Sequence, residues 1–349
     1  MNKEFIELLE KLIATPSLSR EEDEACNVLC DFLNKKQLRY WRNNNNVWIR
    51  SDKYNAGLPT ILLNSHLDTV KPNDNWKTDP YKPVRKHGKL SGLGSNDAGG
   101  CLVSLLDVFL RLNEDKNRPY NLIYAATAEE EITGSNGISS IIDEFGKIDL
   151  AIVGEPTQMN MAVAEKGLLV LDCIANGKAG HAARNEGLNA IEIAVKDIHW
   201  LASYTFPKVS DILGEVKATV TQINAGSQHN VIPDKCEYVI DIRTTEKYSN
   251  KEIYVFLKEK LRSEVKARSF RINSSCISLD HPIVKRGFDL GLKTFGSPTT
   301  SDQSVLPFTS IKIGPGNSSR SHAPDEFIYL KELEEGAATY YKLLKDLKI

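Results

Sequence analysis

The chain has 349 residues with 44 Lys and Arg against 46 Asp and Glu, a formal charge of -2. Its 41% hydrophobic and 26% charged content matches an average globular protein and excludes a disordered, collagen-like or coiled-coil chain. With the two signs balanced, binding to nucleic acid through a basic surface is disfavoured, because that affinity comes from clustered Lys and Arg on phosphates.

The N-terminal segment MNKEFIELLEKLIATPS carries acids throughout, so it lacks the apolar core of a signal peptide and predicts a protein that is not exported. No apolar stretch approaches the ~20 residues that span a bilayer. Cys26, Cys30, Cys101, Cys173, Cys236 and Cys276 are scattered without a CxxC pair, which predicts small buried residues in a reducing cytoplasm rather than a thiolate site.

A first helix is predicted over residues 2–14, where Phe5, Leu8, Leu9, Leu12 and Ile13 share one face, and Thr15-Pro16 ends it. Ser19 and Glu22 read as a capping box for a second helix with Cys26, Leu29, Cys30 and Leu33 inside. Short, nearly continuous apolar runs at Thr60–Asn64, Asn121–Thr127, Leu150–Val153 and Ser310–Ile313 suit strands covered on both faces, and Cys101–Leu112 reads as a buried helix between them. Strands alternating with helices predict an α/β sheet.

The pattern changes after Gly167. A strand at Leu168–Ile174, a helix face of Leu188, Ile191, Ala194, Val195, Ile198 and Leu201, and alternating strands at Val216–Val220 and Tyr238–Ile242 come first. A helix at Lys251–Leu261 and a strand near Lys266–Ile272 complete a βαββαβ, ferredoxin-like order. The chain then returns to the first style and ends in a helix from Leu330 to Leu347. The expected organisation is a catalytic domain of residues 1–167 and 276–349 interrupted by a small α+β domain of residues 168–275.

Residues able to bind metal stand where apolar strands end: His66 and Asp68 after ILLNS, Glu129, Glu130 and Glu131 after LIYAATA, and Glu155 after LAIVG. Open α/β sheets gather their reactive groups at the carboxyl ends of strands, so these positions converge on one crevice. Asp97 lies in the glycine-rich turn of residues 92–100, and His322 follows the turn at Gly314-Pro315-Gly316. Imidazole and carboxylate ligands suit a two-zinc site, and three carboxylates with one hydroxide neutralise the four positive charges. Residues i and i+2 of a strand face the same side, which lets Asp68 accept the second N–H of His66. Each residue alone has a plainer reading: a structural histidine, a turn Asp, a solvated Glu run. Their joint position at successive strand ends favours a site.

The segments SHLDTVKP (65–72), SGLGSNDAGG (91–100), TAEEE (127–131), IVGEPT (152–157), GKAGHAARNEG (177–187), HNVIP (229–233), DIR (241–243), TTSD (299–302) and SHAPDE (321–326) follow in order. In this the chain resembles the cocatalytic-zinc amidohydrolases that include acetylornithine deacetylase, succinyl-diaminopimelate desuccinylase, aminoacylase and a bacterial glutamate carboxypeptidase. The resemblance implies a zinc-peptidase-like domain with a mostly parallel sheet, and an inserted domain that acts as lid and homodimer interface. It also implies two Zn²⁺ per chain, replaceable by Co²⁺ or Mn²⁺. Asp97 would bridge the metals, His66 and Glu155 would complete one, and Glu131 and His322 the other. Glu130 would be the general base, with Asp68 supporting His66 and Glu129 taking no catalytic part. His181 would serve the oxyanion, Asn230 the substrate, and Arg243 the substrate carboxylate.

Relatives usually carry a lysine two residues after the bridging Asp, where this chain has Gly99, and their peptide after that Asp is typically cis. The general motif style looks most like acetylornithine deacetylases of arginine biosynthesis, acting in the cytoplasm on an N-acyl amino acid and water, with no membrane or nucleic-acid partner. A desuccinylase acting on ornithine or diaminopimelate, or a dipeptidase or carboxypeptidase, is the alternative. A succinyl group would need an extra cation, for which Lys166, Lys178, Arg184 and Arg320 are candidates. A noncatalytic metal-binding interaction protein is the reading from another class, and the complete set of ligand positions with Glu130 disfavours it. Neither a GxSxG elbow nor HExxH is present.

Overall fold

A computed structural model of the chain describes residues 2–115, 117–184 and 186–349. Asn185, within the GKAGHAARNEG segment, lies outside the described residues. The chain forms two compact units: Met1–Val163, Cys276–Phe295 and Ser301–Ile349 make the first, and Ala164–Ser275 with Gly296–Thr300 the second.

The first unit is built on a twisted sheet in which Asn121–Thr127, Thr60–His66, Leu150–Val153 and Ser310–Lys312 lie side by side and parallel. Every residue of these strands is buried, as the continuous apolar runs require of strands covered on both faces. One face carries Gly100–Asn113, which in turn packs against Leu330–Leu344 and Lys3–Ile13. The other packs Trp48, Leu62, Ile123, Ala125 and Ala151 against Ile138, Ile141, Phe145 and Ile148. Because the four strands run the same way, their carboxyl ends share one edge of the sheet, and the chemistry-bearing residues follow those ends.

One helix start is corrected, and two short elements join those expected. Ser19 and Glu22 make no capping box: Asp23–Lys35 starts without a side-chain cap, Ser19 Oγ donates to Asp68 Oδ2 at 2.7 Å, and Glu22 Oε1 accepts from the backbone of Arg20 and Glu129. Tertiary partners outbid the local cap. An antiparallel hairpin, Tyr40–Asn43 with Asn46–Arg50, extends the sheet and turns at Asn44 with φ 51°, a conformation asparagine tolerates. A short helix, Pro282–Asp289, starts with proline in its first turn and His281 as its cap. Five of the cysteines are buried as expected, while Cys276 is exposed.

The second unit runs Gly167–Asn176, Ala190–Ser203, Lys217–Ala225, Lys235–Thr244, Asn250–Lys260 and Glu264–Ala267, a βαββαβ order. Its antiparallel sheet has the spatial order Lys217–Ala225, Lys235–Thr244, Gly167–Asn176, Glu264–Ala267. The two central strands alternate buried and half-exposed positions, so one face packs the helices through Leu169, Leu171, Tyr238, Ile240 and Ile242. The helix face is corrected in part: Ala194, Ile198 and Leu201 face the core as expected, joined by Ala190 and Asp197, while Ile191 and Val195 are exposed, as is Leu188 just before the helix. Small alanines let the helix approach the sheet closely beside Ile193, Ile198 and Leu201, and Ile191 and Val195 face away. Among the described residues no helix is long and apolar enough to cross a membrane.

Candidate metal centre

His66 ends its strand and is 2% exposed. Nδ1 lies 2.9 Å from the backbone oxygen of Asp68 and 3.5 Å from its carboxylate, which directs Nε2 into the crevice. There Nε2 meets Asp97 Oδ1 at 3.3 Å, Glu155 Oε1 at 3.7 Å and Glu130 Oε2 at 4.0 Å. His322 Nε2 meets Glu131 Oε2 at 2.9 Å and Asp97 Oδ2 at 3.7 Å. The two oxygens of Asp97 therefore face two different histidines. The ligand atoms of His66, Asp97 and Glu131 lie within 4.8 Å of one another, as do those of His66, Glu130 and Glu155.

Each side chain has a local reason to be there. Asp97 sits in the turn before Gly100–Asn113, and its peptide bond to Ala98 is cis. Gly99, where relatives usually have lysine, is packed: a Cβ would lie 2.5 Å from Gly94 O and 2.7 Å from Leu9. The Asp68 carboxylate accepts the N–H of Glu130 at 3.0 Å and of Glu131 at 3.1 Å, and the Glu129 N–H goes to Glu22. Three successive amides of the acidic triplet are thus held by buried carboxylates, which fixes which way Glu130 and Glu131 point. Glu129 turns away at φ 55°, and its carboxylate accepts from Asn136 N and Nδ2. Behind the strand ends, Asp302 Oδ2 accepts from Asn64 Nδ2 at 2.7 Å and Thr127 Oγ1 at 2.8 Å. Sequence reading gave no such role to Ser19, Glu22, Asn64, Asp302 or Glu326. Asp302 and Glu326 stand within the TTSD and SHAPDE segments, and that position was their only signal.

In the second unit, His181 and Asn230 come together because Gly180–His181 pairs with Val231–Ile232, and Ala182 N donates to Asn230 O. Ala183 N donates to His181 Nδ1 at 3.1 Å, so the neutral imidazole carries its proton on Nε2. Arg243 does not offer an open fork: Nε and Nη2 donate to Asp241 at 2.9 and 3.2 Å, leaving the Nη1 side.

The electrostatics of the cluster are those of carboxylates crowded out of water. Burial pushes Glu130 well above the usual range, and neighbouring carboxylates of Glu155, Asp302 and Glu131 add to it against the opposing His66. Burial, then Asp97, pushes Glu155 up to about 8. Burial works to lower the pKa of His66, but Asp68 and Asp97 outweigh it and hold the ring well above its ordinary value. The hydrogen bond that its ring donates to Glu131 raises His322 to about 9. Among the described residues, Glu155 Oε1 is buried without a hydrogen-bond partner. An unpartnered buried oxygen among converging carboxylates and imidazoles fits divalent cations, which would supply the missing positive charge.

The sequence profile of peptidase family M20/M25/M40 matches residues 62–346. The chain belongs to this family. Acetylornithine deacetylase of Buchnera aphidicola (subsp. Schizaphis graminum) is 28% identical over 98% of this chain and 97% of its own length. The aminopeptidase PepT of Bacillus cereus superposes with a TM-score of 0.78 at 19% identity, covering 99% of both chains. A dinuclear metal-binding M20 peptidase from Bacillus subtilis gives 0.73 at 14% identity, covering 98% of this chain and 96% of that one. This M20 protein is accordingly a metal-dependent amidohydrolase that acts on small molecules with water.

The raised proton affinities make the stability of the metal-free M20 chain depend on pH. Glu155 rises from 4.5 to about 8, and His322 rises from 6.5 to about 9, while Glu130 and His66 shift the same way. Groups with raised folded values contribute stability that is complete below their unfolded values and is lost as pH rises through the folded ones. Asp68 and Asp97 are lowered from 3.8, so their contribution is lost only in stronger acid. The melting temperature of chelator-treated protein should fall from about pH 5 to about pH 9, and added Co²⁺ or Zn²⁺ should offset the fall because ligands bind deprotonated. A metal-free melting temperature that rises over that interval would contradict this account.

Proposed function

We propose that the protein hydrolyses the amide bond of an N-acyl amino acid, with N-acetyl-L-ornithine as the substrate and arginine biosynthesis in the cytoplasm as the setting. The observation that carries it is the double approach of Asp97 to His66 and His322, with Glu155 and Glu131 completing the two halves. In this reading Asp97, His66, Glu155, Glu131 and His322 are the residues that would hold two Zn²⁺. Bound metal would supply Lewis-acid polarisation and make water a stronger acid at neutral pH. Glu130 takes a proton from the attacking water at its carboxylate and passes it to the leaving nitrogen. Burial raises its proton affinity, which suits a group that must hold that proton between the two steps. His181 donates from Nε2 to the oxygen that becomes negative, Asn230 orients the substrate and Arg243 meets its carboxylate from the Nη1 side. The products are a carboxylate and a free amine.

Acetyl over succinyl is supported first by the engagement of two of the four candidate cations elsewhere. Arg320 is spent on Glu332 at 2.7 and 3.1 Å and lies over the rings of Phe327 and Tyr329, and Lys166 Nζ donates to Glu215 O. The similarity to acetylornithine deacetylases points the same way. Initial rates on N-acetyl and N-succinyl forms of ornithine, lysine and diaminopimelate, with dipeptides alongside, test the assignment. Preference for any succinyl substrate would overturn it.

Elemental analysis after zinc reconstitution and desalting should find two ions per chain. One ion would challenge the bridging role of Asp97, and none would defeat the centre. The working form is a homodimer built through the second unit, where the exposed side chains of Leu188, Ile191, Val195, Ile223 and Val231 offer apolar surface for a second copy.

A further inference from the structure

Glu326 is 2% exposed and four residues beyond His322, yet it faces away from the ligand atoms and into the turn that carries Asp97. Its Oε1 accepts the N–H of Asn96 at 2.7 Å and of Asp97 at 2.9 Å, and its Oε2 accepts that of Gly94 at 3.1 Å. Its backbone oxygen takes a fourth, from Gly92 at 3.0 Å. Asn96 adds a reciprocal link, donating to Asn317 O and accepting from Asn317 N. Side-chain contact between Ser321 and Asp97 closes the same junction. All three groups facing the Glu326 carboxylate are donors, so an acceptor-only side chain is required; the NH₂ of an amide would oppose at least one N–H. A carboxylate that holds the amide of Asp97 and shares a short segment with His322 fixes two ligands at once.

We propose that Glu326 is a positioning residue that sets the metal affinity of the centre by holding the main chain of Asp97 in register with His322. The inference rests on the metal-centre reading above. It predicts that Glu326 acts on metal retention first and on turnover only through it, as hydrogen-bonded supports of ligands do elsewhere, where their loss costs roughly 10–100-fold in affinity.

Co²⁺ titration of the metal-free full chain, followed by its visible bands and by competition with a chelator, gives the readout. Glu326→Gln should bind Co²⁺ roughly 10–100-fold more weakly, with altered bands, and should recover most of its kcat at saturating metal. Glu326→Asp keeps the charge but is too short for all three N–H groups, so it should fall between. Phe109→Leu, a core change in Gly100–Asn113 that touches no ligand, controls for lost stability and should keep the affinity and bands of the wild type. Unchanged affinity and bands in Glu326→Gln, or equal weakening in Phe109→Leu, would overturn the proposal. Should the amide variant not fold, unchanged binding by Glu326→Asp does so. Wild-type protein that binds no Co²⁺ would instead defeat the metal centre itself.

Discussion

Replacing Glu130 by Gln should leave both metals bound and lower kcat by ~10²–10⁴-fold, the usual cost of removing a general base. The amide nearly matches the carboxylate in volume, and the backbone N–H groups of Glu130 and Glu131 remain on Asp68, so the loop should keep its shape. Gln cannot take the proton from water. Metal content measured beside kcat separates this from ligand loss: near-normal kcat with two ions bound would place the base elsewhere. Glu129→Gln is the control, but not an innocent one. Glu129 is 4% exposed, and its carboxylate accepts two hydrogen bonds from Asn136. Its substitution should cost ~1–3 kcal/mol of stability, as an imperfectly satisfied buried group does, while kcat stays within a few-fold of wild type. The two neighbours thus separate by observable, one moving turnover and the other the melting temperature.

What was legible in the sequence follows from periodicity and from strand ends. Runs such as Asn121–Thr127 and Leu150–Val153 are apolar throughout because both faces of the sheet are covered, so their extent could be read directly. His66, Glu130, Glu131 and Glu155 were legible because a parallel sheet delivers strand ends to one edge. The supporting carboxylates were not. Ser19 and Glu22 have the spacing of a capping box, yet their partners, Asp68 and Glu129, lie 49 and 107 residues away, and no local pattern encodes a contact at that range. Glu326 and Asp302 were obscured in the same way: their partners are backbone amides and strand-end side chains reached only through the fold. The helix Ala190–Ser203 misled for another reason. The predicted face held Ala194, Ile198 and Leu201, which do face the core, but hydrophobicity alone widened it to Leu188, Ile191 and Val195, which are exposed, and passed over the small buried Ala190. An apolar stripe turned outward is what a surface reserved for a second copy would look like, which bears on His181.

His181→Ala should lower kcat by ~10²–10³-fold, the cost of one oxyanion donor, without changing metal content. The proton on Nε2, fixed by the Ala183 N–H on Nδ1, is the feature that qualifies this histidine as a donor. If the homodimer places His181 of each chain in the site of the other, two inactive variants should rescue one another. In a mixed dimer of His181→Ala with Glu130→Ala, the site built on the His181→Ala chain has its own Glu130 and receives an intact His181 from its neighbour. The opposite site lacks both groups. Random equal mixing makes half the dimers mixed, with one working site in each, so co-refolded protein should recover about a quarter of wild-type activity per site under two-fold symmetry. Each variant refolded alone stays near its own low level, which rules out reversion or contamination as the source of recovery. Absence of recovery, with mixed dimers demonstrated by differential tagging, would put His181 in the site of its own chain or outside catalysis altogether.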